Sequence, residues 1–135
     1  MKTATAALVV LVLLATGCIS RGPEEQLRAA WKASGEALKT RDTDAICDML
    51  SDKARRYVLN GVHRSAIPGV NSCQTLWAKI FARFGEKEQH MIRTSKLLKV
   101  NIDGDHATTF DSTQGNAPTA WIRQDGQWRI DDVGF

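Results

Sequence analysis

The chain has 135 residues, is 43% hydrophobic, and carries 18 lysines and arginines against 15 aspartates and glutamates, a formal charge of +3. That length holds one ordinary domain and not two. So mild a positive balance, without an aromatic-basic stripe or an RNA-binding motif, argues against nucleic acid as a partner.

At the amino terminus, Lys2 precedes the uncharged apolar run Ala6 to Ala15 (AALVVLVLLA). A membrane-spanning helix needs about 20 such residues. The run has the length of a signal-peptide core instead, and Ala15, Thr16 and Gly17 are the small residues of a cleavage site. Leu14-Ala15-Thr16-Gly17-Cys18 resembles the bacterial lipobox, with Ala15 standing where leucine is commonest. The resemblance implies a lipoprotein signal peptide over 1–17, cleavage before Cys18, and a diacylglyceryl group on its thiol, with palmitate among the acyl chains. A plain signal peptide with a chance cysteine and an uncleaved anchor are the other readings. Lys2 leaves with the signal, so the remaining 118 residues carry a formal charge of +2. Cys18 and the tether to Gly22 (18–22) reach no more than roughly 15 to 20 Å. The expected location is therefore the cell membrane, lipid-anchored on the extracytoplasmic side, with a single domain over 23–135 held close to the surface.

Pro23 suits the first position of a helix, and Glu24 and Glu25 favour its positive end. Leu27, Trp31, Ser34 and Leu38, with Ala30 and Ala37 beside them, form one stripe at helical spacing. Thr40-Arg41-Asp42 interrupts, and Asp42 can cap a second helix carrying Ile46, Cys47, Met49 and Leu50. Ser51 can cap a third, through Ala54, Tyr57 and Val58. Val62 to Asn71 contains Pro68 and Gly69 and reads as a loop. Ser72 caps the helix with the clearest face, formed by Cys73, Leu76, Trp77, Ile80, Phe81 and Phe84, with Gly85 closing it.

The period then changes from helical to alternating. Leu98, Val100 and Ile102 alternate, Asp103-Gly104-Asp105 turns, and Ala107 to Phe110 returns. Ala117 to Arg123 places Ala120 and Ile122 on one side and Trp121 on the other. Asp125-Gly126 is a hairpin signal, and Trp128 and Ile130 share a face of the last strand. Pro118 cannot donate to a ladder, so it belongs near a strand start or on an edge. Met91 to Arg93 is expected to begin a further strand. Helices first and strands after them give an α+β class.

The segments "ALKTRDTDAICDMLSDKARRY", "VNIDGDHATTF" and "IRQDGQWRIDDVGF", taken in that order, resemble the NTF2-like superfamily, and in particular its small exported actinobacterial-type lipoproteins. The resemblance covers essentially the mature chain. It implies N-terminal helices packed in a curved antiparallel sheet, a ketosteroid isomerase-like cone open at one end. Members include isomerase- and dehydratase-type enzymes and many domains without catalysis.

Cys47 and Cys73 are the two thiols left in an exported chain once Cys18 is lipidated, and export means an oxidising compartment, so a structural disulfide is expected. Two buried free cysteines are the alternative. No CxxC pair suggests redox chemistry. An isomerase of the cone type needs a carboxylate base with a tyrosine and a protonated acid as oxyanion donors. Tyr57 is the one tyrosine, and no second donor matches it. A dehydratase-type site needs an inward histidine and aspartate, but His106 and Asp111 are five residues apart on one strand and point to opposite faces. His63, His90 and His106 lack metal-ligand spacing, and no GxSxG, HExxH or phosphate loop occurs. No metal or cofactor is expected, and no catalytic residue is assigned.

The candidate pocket lining is Leu27, Trp31, Trp77, Phe81, Val100, Trp128 and Ile130. Three of these are tryptophans of roughly 200 Å² each, so the cone is expected to be mostly filled, any remaining cavity being small and apolar. The function that follows is an accessory, non-catalytic envelope domain binding a small apolar ligand or a membrane protein partner. The alternative is a cone-fold enzyme acting on a hydrophobic small molecule.

Overall fold

A computed structural model describes residues 21–60, 68–115 and 117–132. The expected signal peptide, Cys18 with most of its tether, and His63 lie outside the described residues. Five helices precede four strands among them, an α+β order: α1 (Pro23–Thr40), α2 (Thr43–Met49), α3 (Asp52–Asn60), α4 (Cys73–Phe81), α5 (Glu86–Thr94), β1 (Leu97–Asp103), β2 (His106–Asp111), β3 (Thr119–Gln124) and β4 (Gln127–Ile130).

Local chemistry sets the helix ends. Pro23 opens α1, and Arg41 closes it in the left-handed conformation with φ 56°. The Asp42 carboxylate accepts from the Ala45 amide at 3.0 Å and starts α2. Ser51 Oγ accepts from Ala54 N at 3.0 Å at the head of α3, and Ser72 Oγ from Thr75 N at 3.0 Å at the head of α4. Each capping oxygen satisfies an amide that has no partner within its helix.

The strands form one antiparallel meander in the order β1-β2-β3-β4. Asp125 and Gly126, with φ of 52° and 73°, form the two-residue turn between β3 and β4, where both central residues need positive φ. That turn pairs Gln124 with Gln127 and so Trp121 with Ile130. The inner face of the sheet carries Ala107, Trp121 and Trp128 against Leu27 of α1, with Val100, Ile102 and Ile130 beside them. A second core lies among the helices and holds Ile46, Cys47, Leu50, Val58, Cys73, Leu76 and Phe81. Within it Cys47 and Cys73 are joined as a disulfide, their Cα atoms 6.0 Å apart, fastening α2 to α4.

The end of β4 locks onto the helices. Ser51 N donates to Ile130 O at 2.8 Å, and Ser51 Oγ donates to Asp131 Oδ1 at 2.7 Å. Lys53 Nζ reaches Asp131 Oδ2 at 3.2 Å. At the other end of the sheet, Trp128 Nε1 donates to Pro23 O at 3.1 Å, holding the start of α1.

Three local expectations change. Met91 to Arg93 belongs to α5 and not to a strand. Glu86 and Glu88 occupy its first turn, the Glu88 carboxylate accepts from Gly85 N at 2.9 Å, and Arg93 sits in its last turn. Two adjacent apolar residues carry no period, so capping and charge decide the element. Gly85 therefore heads α5, while α4 ends at Phe81. Leu98 does not share a face with Val100 and Ile102. A bulge between Leu97 and Lys99 makes it the extra residue, 66% exposed, and brings Leu97 opposite Asp111.

Candidate functional site

A cavity of about 480 Å³ lies between the two cores, where α1, α2, α4 and α5 face the inner side of the sheet. Its apolar walls are Trp31 and Leu38 from α1, Ile46 from α2 with Leu50 just beyond it, Trp77 from α4, Ile92 from α5, and Trp121 and Ile130 from the sheet. Ser34, Thr119 and Asp111 add polar groups inside, and Lys32, Lys39, Pro118 and Asp132, all exposed, stand at the rim. The volume falls within the range of about 300 to 1,000 Å³ common for small-molecule sites.

The sheet register aims the key side chains. Thr109 pairs with Val100 and Asp111 with Leu97, which puts both on the inner face of β2. Trp121 is 2% exposed, and its Nε1 donates to Thr109 Oγ1 at 2.9 Å, which fixes the indole in the wall. An indole N–H buried without an acceptor would be costly, and Thr109 supplies that acceptor.

Asp111 is 6% exposed at the end of β2. Its Oδ1 accepts from Thr113 N at 2.8 Å, Thr113 Oγ1 at 2.5 Å and Gln114 N at 3.2 Å. This is an Asx-type turn that shapes the start of the β2–β3 connection. Oδ2 accepts no hydrogen bond among the described residues, and no lysine, arginine or histidine there lies within ion-pair distance. A buried carboxylate ordinarily has a charged partner. Asp111 lines an apolar cavity instead.

Of the sequence-derived lining, Trp31, Trp77 and Ile130 line the cavity. Leu27 and Trp128 are in the sheet-side core with Val100 packed against them, and Phe81 is in the helical core. The bulk expected to fill the cone is thus divided between two cores on either side of the cavity, and the space between them stays open. Trp121 is absent from the sequence-derived lining, although the Asp125-Gly126 turn carried the signal: it fixes the register that sets Trp121 opposite Ile130. Asp111 is legible only as an inward-facing carboxylate, as is Asp132; of the two, Asp111 is buried in the cavity and Asp132 stands exposed at its rim.

His106 is exposed and Asp111 buried, so they occupy opposite faces of β2 as their spacing implies. His90 is exposed on α5, and Tyr57 is 54% exposed on α3, outside the cavity lining. No group of three or more potential metal ligands gathers among the described residues, and no helix there is long and apolar enough to cross a membrane.

Compared with solved structures, the chain is similar to the crystal structure of a "putative dehydratase from the NTF2-like family" from Streptomyces avermitilis. The likeness has a TM-score of 0.41 and 17% identity, and covers 78% of this chain and 88% of that one. No protein-family model and no curated protein sequence matches the chain.

Proposed function

We propose that this chain is an exported lipoprotein, anchored through Cys18, whose NTF2-like domain binds a small apolar molecule at the outer surface of the cell membrane. The observation that carries the binding reading is the open cavity of about 480 Å³ walled by Trp31, Trp77 and Trp121. A filled cone would have favoured docking onto a membrane protein. The lipobox-like run supports the anchor, and the order of the sequence motifs supports the NTF2-like assignment. The tether joins α1 at Pro23, and the cavity is lined by α1 from Trp31 to Lys39. At a rise of about 1.5 Å per residue, that is roughly 12 to 24 Å along the helix from the tether. A ligand partitioned near the membrane surface would meet the rim at that height.

One observation favours a second reading, catalysis on a hydrophobic molecule in the same cavity. Asp111 is a buried carboxylate with an uncommitted oxygen, the kind of group that serves as a general base. No histidine or tyrosine among the described residues lines the cavity to act with it, so binding is the reading preferred.

Tryptophan fluorescence titrated with small apolar molecules tests binding, since three indoles form the wall. Saturable quenching or a blue shift is expected, and a flat response to every compound would overturn the proposal. Intact mass and fractionation test the anchor. Wild-type chain should sediment with membranes bearing a lipidated Cys18, and Cys18→Ala should accumulate as unprocessed precursor. Turnover of a hydrophobic compound, abolished by Asp111→Asn, would replace the binding reading with the enzymatic one.

A further inference from the structure

We infer that the molecule held in this cavity is an organic cation, an apolar amine or quaternary ammonium whose positive group is received by Asp111 and the tryptophan faces. The inference rests on the reading of the cavity as a ligand site and adds the chemistry of its occupant.

Four observations carry it. Asp111 is more than nine-tenths buried and lines the cavity. The three hydrogen bonds it accepts all fall on Oδ1 and serve the β2–β3 turn, which leaves Oδ2 uncommitted among the described residues. No cationic side chain there lies within ion-pair distance to neutralise it. Trp31, Trp77 and Trp121 line the same space, and an indole is the best aromatic partner for a cation that reaches its face. A carboxylate among indoles suits a soft, poorly hydrated cation, because such an ion loses little on leaving water and gains both a counter-ion and ring faces.

Lys32 and Lys39 do not reverse this preference. Both are exposed on α1, where salt screens them, and Lys39 Nζ lies 3.7 Å from Glu36 Oε2. Asp132 offsets them at the same rim. An anionic ligand would find lysines at the entrance but would have to lie beside an unpaired carboxylate within.

The test uses three probes of nearly equal size on the full chain, followed by tryptophan fluorescence and calorimetry. They are benzyltrimethylammonium, its uncharged twin neopentylbenzene, and the anion 3-phenylpropionate. The cation should bind at least about tenfold more tightly than the twin. Asp111→Asn should abolish that preference, weakening the cation at least about tenfold more than the twin. Its amide oxygen can still accept from Thr113 and Gln114, and circular dichroism checks the fold. If that variant does not fold, Trp31→Leu takes its place and should weaken the cation several-fold more than the twin. The inference falls, with the ligand site intact, if the twin or the anion binds as tightly as the cation, or if the preference survives Asp111→Asn. If none of the three binds a chain of native circular dichroism, the ligand-site reading falls and the inference with it.

Discussion

Reducing the Cys47–Cys73 bridge isolates the contribution of a single cross-link, because both sulfurs stay in place. The bridge spans 26 residues of sequence and joins α2 to α4. In the chain-entropy treatment, a closed loop of that size stabilises the folded state by about 3.5 kcal/mol, chiefly by restricting the unfolded chain. For a domain of little more than 100 residues, each kcal/mol moves the melting temperature by roughly 4 °C, so reduction should lower it by roughly 14 °C. Both cysteines are nearly inaccessible, 2% and 4% exposed, so reductant should act slowly on folded protein and the sample must be reduced in denaturant and refolded. Calorimetric melts of the oxidised and reduced chain give the number. The walls of the cavity should loosen as well, since Ile46 and Trp77 sit on the two helices that the bridge joins. A melting shift of less than about 3 °C would refute the entropic reasoning. Quantitative labelling of both thiols in denaturant without reductant would show that the pair is free in the mature protein.

Ser51→Ala removes both the cap of α3 and the hydroxyl bonded to Asp131, and should cost about 1 to 3 kcal/mol by urea titration with an unchanged slope. A loss below about 0.5 kcal/mol would mean that the Ser51 N–Ile130 O bond and Lys53 secure the end of β4 without the hydroxyl. Thr109→Val leaves the buried Trp121 indole without its acceptor and should cost about 1 to 3 kcal/mol, with a changed near-ultraviolet spectrum, while Thr109→Ser should retain most of the stability. A valine variant as stable as wild type would show that the bond does not hold the wall.

Several elements are fixed by short stretches acting alone. Asp42, Ser51 and Ser72 each cap a helix through a side chain three residues from the amide it satisfies, so neighbours in sequence suffice to place them. Asp125-Gly126 sets both its turn and the register of two strands, because few residues tolerate positive φ. The Cys47–Cys73 pairing followed from composition, with two thiols remaining in a chain expected to be exported. α5 was mistaken for a strand start because Met91 and Ile92 are too few to display a period, and its capping signal lies upstream of them at Gly85 and Glu88.

The candidate site was legible only in part, for a reason of geometry. Periodicity identifies which side chains turn away from water, and it marked Trp31, Trp77 and Ile130 as it marked Leu27, Phe81 and Trp128. It cannot separate residues that pack against one another from residues that stand across an empty space, because both are apolar and inward. That division depends on how far α1 and α4 lie from the sheet, which packing between distant elements sets. The bulge at Leu98 is of the same kind, an extra residue accommodated by a partner strand. Asp111 shows the limit most plainly: its Asx turn is a local matter, but its burial in a cavity lined by Trp31 and Trp77 depends on α1 and α4, more than 30 residues away in the chain. The helix starts capped by Asp42, Ser51 and Ser72, the Asp125-Gly126 turn and the disulfide pairing were determined by the sequence through local bonds and composition, whereas the face of Leu98, the open cavity and the burial of Asp111 within it were decided by tertiary packing.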